Sequence, residues 1–242
     1  MSLPRVLFFG GGIQTSALAV LISQGKVKVD QAIFSDTGGE KPETYWYMAN
    51  ITGPMLKKAG VELRIVKNEQ PSYQPDLYGF LWRIRDLPSL QQRRCSDHFK
   101  IRVINRAVGR DVTAIIGFSV DEVNRADRSR HKHPEFPLID MGLSALDCRY
   151  IIMGAGIPLP MKSSCFFCPF QKVTEWLWLK KKHRALFDRA LALEARFHEK
   201  RPEHLNSYGL LRGAPLRNIS AGDQAVMALE TELSCWTGYC GQ

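Results

Sequence analysis

The stretch Arg5-Val-Leu-Phe-Phe9-Gly10-Gly11-Gly12-Ile13-Gln14-Thr15-Ser16 decides the fold. Its first half is continuously apolar, as strands buried on both faces of a parallel sheet are. Gly10-Gly11-Gly12 then turns the chain. From Ser16 to Gln24, Ala17, Leu18, Val20, Leu21 and Ile22 predict a helix. Strand, glycine turn and helix in this order form an anion-binding arrangement. Glycine lets the backbone turn tightly and approach a phosphate closely. The N–H groups of the turn and of the helix N-terminus face the anion, and the helix dipole adds attraction. Thr15 and Ser16 offer hydroxyl donors. The spacing matches neither the dinucleotide fingerprint nor the lysine-containing phosphate loop. The competing reading is a plain tight turn with a capped helix.

Outward from this loop the pattern repeats. Gln31-Ala-Ile-Phe-Ser35 reads as a second strand, with Asp36-Thr-Gly-Gly39 as a loop at its C-terminal end. A helix follows from Pro42 toward Ala59, proline being suited to a first helical turn. Val61-Glu-Leu-Arg-Ile-Val66 alternates like a third strand. Residues 70–92 read as a loop with a short helix, and Phe99 to Val108 as helical. Thr113-Ala-Ile-Ile-Gly117 is a fourth strand, followed by a polar loop through His133. Leu143 to Ala155 is helical, 157–170 is rich in Pro and Cys, and Val173 to Lys200 reads as one long helix. Alternating strands and helices imply an α/β fold: a parallel twisted sheet with right-handed crossovers and helices on both faces. The expected organisation is a nucleotide-binding domain over residues 1–170 and a helical C-terminal extension over 171–242 with a cysteine-containing tail.

The 242 residues suffice to bury a core without disulfide staples. Lys and Arg outnumber Asp and Glu by 33 to 24, a net charge of +9. The cations cluster in Arg83–Arg110, Arg125–His133 and Lys180–Arg201, which favours a polyanionic partner, nucleotide or nucleic acid. No apolar run reaches the length of a membrane span, and the first residues lack the pattern of a signal peptide. A cytoplasmic protein with no membrane partner is expected. The six cysteines, Cys95, Cys148, Cys165, Cys168, Cys235 and Cys240, are then candidates for metal binding or redox work.

Gly10 to Thr15 resembles the pyrophosphate loop Ser-Gly-Gly-x-Asp-Ser of the ATP pyrophosphatase (adenine nucleotide alpha hydrolase) superfamily. The branch that fits best is the phosphoadenosine-phosphosulfate reductase-like one, which includes ATP pyrophosphatases of DNA phosphorothioation. Phe34-Ser-Asp36-Thr-Gly38 with Pro42-Glu43-Thr44 resembles its Asp-Thr-Gly-x-x-x-Pro-Glu-Thr segment. Arg94-Cys95 with Lys100-Ile101, Gly117 with Glu122 and Arg125, and Cys165-Phe-Phe-Cys168-Pro169 resemble three further segments, in order, over residues 5–170. The departures are Gly10 for the first serine, Gln14 for the acidic residue and Cys95 alone for paired cysteines. The tail Tyr239-Cys240-Gly241-Gln242 is only loosely similar to the family's Glu-Cys-Gly end.

The resemblance implies cleavage of ATP to AMP and pyrophosphate with Mg²⁺, adenylating an acceptor for sulfur incorporation, in DNA phosphorothioation or tRNA thiolation. A cysteine desulfurase or other sulfur donor is the implied partner, and nucleic acid the implied acceptor. Two alternatives stand beside it: a sulfonucleotide reductase with Cys240 as nucleophile, and a non-enzymatic nucleotide- or nucleic-acid-binding subunit. Gly10, Gly11, Gly12, Gln14, Thr15, Ser16, Asp36, Thr37 and Gly117 are the nucleotide-binding candidates. Asp36, at a strand end on the ligand edge, suits Mg²⁺ or a ribose hydroxyl; Glu40 and Glu43 have weaker claims. Lys100, Arg125, Arg93 and Arg94 suit phosphate. With Asp36, Lys100, Arg125 and Cys240 form the catalytic set.

Cys165-x-x-Cys168 can place two thiolates on one metal, but two more ligands are needed. Cys95 and Cys148 are available, and the resemblance adds a [4Fe-4S] cluster as expectation. Zinc and free thiols remain alternatives, and Cys148, on a predicted helix, also suits a core. A mobile Cys235 or Cys240 could carry a persulfide. Trp176, Trp178, Phe187 and Phe197 beside Lys180-Lys-Lys182 suit either stacking on single-stranded nucleic acid or a core with a solvated lysine face.

Overall fold

The computed structural model describes residues 2–89, 92–129 and 131–219. Strands β1 (Arg5–Phe8), β2 (Gln31–Asp36), β3 (Glu62–Lys67), β4 (Thr113–Ile116) and β5 (His133–Glu135) form one sheet in the order β3-β2-β1-β4-β5. All its pairings are parallel. Helices α1 (Ile13–Ser23), α2 (Pro42–Tyr47), α3 (Gly53–Lys58) and α4 (Leu77–Ile84) are followed by helices Arg102–Val108, Ala145–Gly154, Val173–Lys182 and Arg184–Lys200. Among the described residues no helix is long and apolar enough to cross a membrane.

The chain forms two compact units, neither continuous in sequence. The first comprises residues up to Asp36, Lys41–Lys67 and Lys100–Ser163. The second gathers Thr37–Glu40, Asn68–Phe99 and the described residues from Ser164 on. The helical segment set apart at residue 171 in the sequence thus shares its unit with residues 68–99.

In the first unit, the two-residue period of a strand feeds two cores. Leu7, Ala32, Phe34 and Ile115 pack with α1, α3 and the helix Ala145–Gly154 on one face. Val6 and Ile33 pack with Ile104 and Val112 on the other, where the helix Arg102–Val108 lies. Helices on both faces bury the middle of the central strands, which is why Val6-Leu7 and Ala32-Ile33-Phe34 read as apolar runs. The fifth strand departs from the sequence reading, which made residues up to His133 a polar loop. His133–Glu135 pairs with β4 at the sheet margin, where Pro134 withholds a hydrogen bond at little cost. Arg5 forks onto Glu135 at 2.8 and 2.7 Å. The helix from Pro42 toward Ala59 is present, interrupted by a π-turn over Met48–Thr52.

In the second unit, Asp76 caps α4 by accepting from Gly79 N at 2.7 Å. The long helix expected over 173–200 is two helices. His183 leaves helical geometry at φ −133° and ψ 62°. A straight helix of that length would extend about 40 Å. The break lets Trp176 and Leu179 share one core with Phe187, Leu193 and Phe197. Trp176, Phe187 and Phe197 are therefore buried, the core reading of this aromatic pattern, while Trp178 is half-buried. Glu194 is buried in the same core and accepts from Leu210 N at 2.7 Å and Leu216 N at 2.9 Å, pinning the segment after Pro202.

Candidate functional site

The sheet order makes β1 a switch point. The chain winds outward from β1 through β2 to β3, then returns to β4 on the other side of β1. Connections leaving the C-terminal ends of β1 and β4 diverge, and ligands of open α/β sheets bind in the crevice this creates. The glycine loop follows β1 and Gly117 follows β4, so both meet at that crevice.

Gly11 adopts φ 72°, the left-handed region that favours glycine. A Cβ there would stand 2.9 Å from Cγ2 of Thr44. Gly12 is the N-cap of α1, with no side-chain cap and no acidic residue in the first turn. A Cβ on Gly12 would lie 3.2 Å from Ser163 Oγ. The loop is thus bare backbone beside the positive end of an eleven-residue helix. Thr15 is tied into the loop itself. Its hydroxyl accepts from Gly10 N at 3.3 Å and donates to Gly12 O at 3.2 Å, so it braces the loop. Ser16 is fully buried and its hydroxyl finds no partner among the described residues. Gly117 approaches the same helix: a Cβ on it would meet Thr15 Cγ2 at 2.8 Å.

Two residues of α2 tie the loop to β2. Thr44 packs on Gly11, and the Tyr45 hydroxyl donates to Asp36 Oδ1 at 2.6 Å. Asp36, buried at the end of β2, also pairs with Lys67 Nζ at 3.3 Å. Its charge is therefore matched within the fold. On the other side Gln14 donates to Glu122 at 3.3 Å, and Glu122 is ion-paired with Arg125. The Arg125 guanidinium lies 4.5 Å over the Phe118 ring. Gln14, Glu122, Arg125 and Phe118 form one chain of contacts from the β1 loop to the loop after β4. Lys100 is half-buried in the first unit.

Other candidates lie elsewhere. Thr37 belongs to the second unit, where its carbonyl accepts from Leu77 N at 3.0 Å and its hydroxyl stands 3.1 Å from Cys165 Sγ. Glu40 bridges Cys165 through the backbone in that unit. Glu43 is half-buried in the first turn of α2. Arg93 lies over Phe170 at 5.4 Å, and Arg94 pairs with Asp86 at 3.5 Å.

No family model and no curated protein matches the chain. Among solved structures, the NH3-dependent NAD synthetase of Campylobacter jejuni, in complex with a nitrate ion, is similar over 100% of this chain and 90% of its own, at 10% identity and a TM-score of 0.40. The U34-tRNA thiolase NcsA of Methanococcus maripaludis, with its [4Fe-4S] cluster, is similar over 93% of this chain and 81% of its own, at 14% identity and a TM-score of 0.37. Neither likeness decides a function.

The four cysteines expected to meet at a metal do not share an environment. Cys148 lies fully buried in the apolar core of the first unit. Burial, and then the carboxylates of Asp147 and Asp121, push its thiol up to about 11. Cys95, Cys165 and Cys168 pack on the core of the second unit. Among the described residues no group of three or more His, Cys, Asp or Glu is placed to hold a metal ion. The described residues thus show no assembled four-cysteine site, with Cys148 in the core of the first unit and Cys95, Cys165 and Cys168 on that of the second. Cys235 and Cys240 lie outside the described residues.

Ser163, Tyr45, Lys67 and Phe118 border the candidate site and were not singled out from the sequence, whereas Thr44 was quoted there only as part of a motif. Lys67 was accessible in principle, since the register of β2 on β3 pairs it with Asp36. Ser163 carries no local signal at all.

Proposed function

We propose that the chain binds ATP on Gly10–Ser16 and cleaves it between the α and β phosphates, adenylating an acceptor oxygen; a sulfur nucleophile then attacks the atom that bears this oxygen, and AMP leaves with the oxygen. Nucleic acid is the acceptor that the charge of +9 favours. The observation that carries this reading is Gly11: a left-handed glycine with no room for a side chain, held by Thr44 against the uncapped N-terminus of α1. Backbone N–H groups in that position stabilise charge developing on a departing pyrophosphate. When bound, Mg²⁺ would add charge neutralisation there. Asp36, at the C-terminal end of β2, is the carboxylate that would hold it. Arg125 and Lys100 would steer phosphate oxygens, and Gln14 would read the acceptor side through Glu122. The sulfur would come from a partner such as a cysteine desulfurase, with Cys240 as a candidate relay. No step is routed through an iron–sulfur cluster.

Incubation with ATP and Mg²⁺ in the presence of nucleic acid, with chromatographic separation of products, tests the reading. AMP and pyrophosphate are expected. ADP and phosphate would overturn it, and thiol-dependent release of sulfite from a sulfonucleotide would replace it with the reductase reading.

A further inference from the structure

We propose that the face of the second unit formed by α4 and the helix Arg184–Lys200 docks the phosphate backbone of single-stranded nucleic acid. This assigns a place to the nucleic-acid acceptor, and rests on the reading above to that extent.

The face is built from two stripes. Tyr78 and Trp82 are four apart on α4; Arg189, Arg196 and Lys200 fall at i, i+7 and i+11 on the longer helix, so each set lies along one side. The helices pack on each other, and the stripes interleave. Tyr78 and Trp82 stack with centroids 6.0 Å apart. The Arg189 guanidinium lies 4.4 Å over Tyr78 and 5.0 Å over Phe166. Arg196 lies 5.6 Å over Trp82, and Lys200 donates to Ile84 O at 3.1 Å. A guanidinium held over a ring retains N–H donors for a phosphate. Arg189 and Lys200 are exposed, and Trp82 is 39% exposed.

Charge supports the same occupant. Arg83, Arg85 and Arg201 adjoin the stripes, giving six cations with the three already named. Glu199, paired with Arg196 at 2.7 Å, and Asp86, paired with Arg201 at 3.4 Å, are the carboxylates against them. Exposed aromatic surface beside a cationic track suits unpaired bases on a sugar–phosphate chain, and a duplex would hide those bases. An acidic peptide would need the cations but not Trp82.

Fluorescence anisotropy of labelled 20-nucleotide single strands, ribo- and deoxyribo-, with the full chain and no ATP, tests this surface. The parent is expected to bind, with log K falling against log salt with a slope of about −2, as roughly three neutralised phosphates require. Arg189→Gln with Arg196→Gln should weaken binding roughly tenfold and flatten the slope by about 1. Arg184→Gln removes one charge, half that of the double variant, from a position paired with Asp188 and off the stripe, and should change affinity less than about twofold. Lys200→Gln, which disturbs no ring contact, should shift binding in the same direction if the double variant does not fold. Unchanged binding in the folded double variant, an equal loss in Arg184→Gln, or equally tight capture of poly-glutamate overturns the proposal. Oligonucleotide binding through this face without AMP formation would remove the catalytic reading and leave the surface; AMP formation without binding would do the reverse.

Discussion

Lys67 Nζ and Asp36 Oδ2 stand 3.3 Å apart at the ends of adjacent strands, where the two residues are register partners. Lys67 is mostly in solvent, whereas Asp36 is buried and also accepts from Tyr45. The pair is therefore asymmetric. Asp36→Ala should lower stability by about 1–3 kcal/mol, because the part-buried hydrogen bond from the Tyr45 hydroxyl is lost together with the ion pair. Lys67→Met should cost less than about 1 kcal/mol, as exposed ion pairs do. Urea denaturation separates the two, and equal losses would contradict this account. ATP turnover should vanish in Asp36→Ala.

Gly11→Val should abolish nucleotide binding by calorimetry while the chain still folds, since the side chain would collide with Thr44 in a backbone region valine avoids. ATP affinity equal to the parent's would remove the loop from the site.

Gly117→Ala should destabilise by about 1–3 kcal/mol through contact with Thr15 Cγ2. Thr15→Ser deletes that methyl, so the double variant should recover part of the loss. A double-mutant cycle with no coupling would show that the β4 loop and α1 do not touch as described.

Cys148 should be the last of the described thiols to react with an alkylating reagent at pH 8. Its folded value, about 11 against an ordinary 9.0, also fixes a sign. A thiol raised on folding stabilises the protein fully below pH 9, and that contribution is lost as pH rises from 9 through 11. The parent should lose more stability than Cys148→Ala over this window. Parallel pH profiles would refute the burial argument.

Glu194 gives a second pH signature. Burial raises its carboxyl above the usual 4.5, against the pull of the Leu210 and Leu216 N–H groups. Its neutral form is the one favoured by folding, so its contribution is complete below that pH and declines above it. Glu194→Gln should flatten the decline. Glu194→Ala should cost about 1–3 kcal/mol for each N–H left without an acceptor, read by thermal unfolding.

The central sheet was legible because strands covered on both faces carry apolar runs at their centres, as Val6–Phe8, Ala32–Phe34 and Ala114–Ile116 do. β5 was not, because a three-residue edge strand containing Pro134 carries too little pattern. The break at His183 was hidden for a related reason: the apolar spacing continues across it, and only packing shows that one core receives both helices. The glycine loop was readable from local chemistry, Gly11 needing its conformation and Gly12 its bare cap. For the cysteines, spacing along the chain says nothing about unit membership. Cys148 sits on a helix whose buried side serves the first unit's core, a fact set by tertiary packing. The ring stack of Tyr78 and Trp82 fell in a stretch of weak periodicity, whereas the more conspicuous Trp176 went to the interior.

The position of β1 bears on how the chain is assembled. Arg5–Phe8 pairs on one side with β2 and on the other with Thr113–Ile116. On the ribosome, a chain that has reached residue 100 carries one flank of β1 unpaired, with Val6 and Ile33 waiting for partners still to be translated. Non-local parallel pairing is slow, and an open strand edge invites pairing with other chains. Premature termination before Thr113 would therefore yield fragments prone to aggregate, and cellular holdases would be met early in the life of this polypeptide.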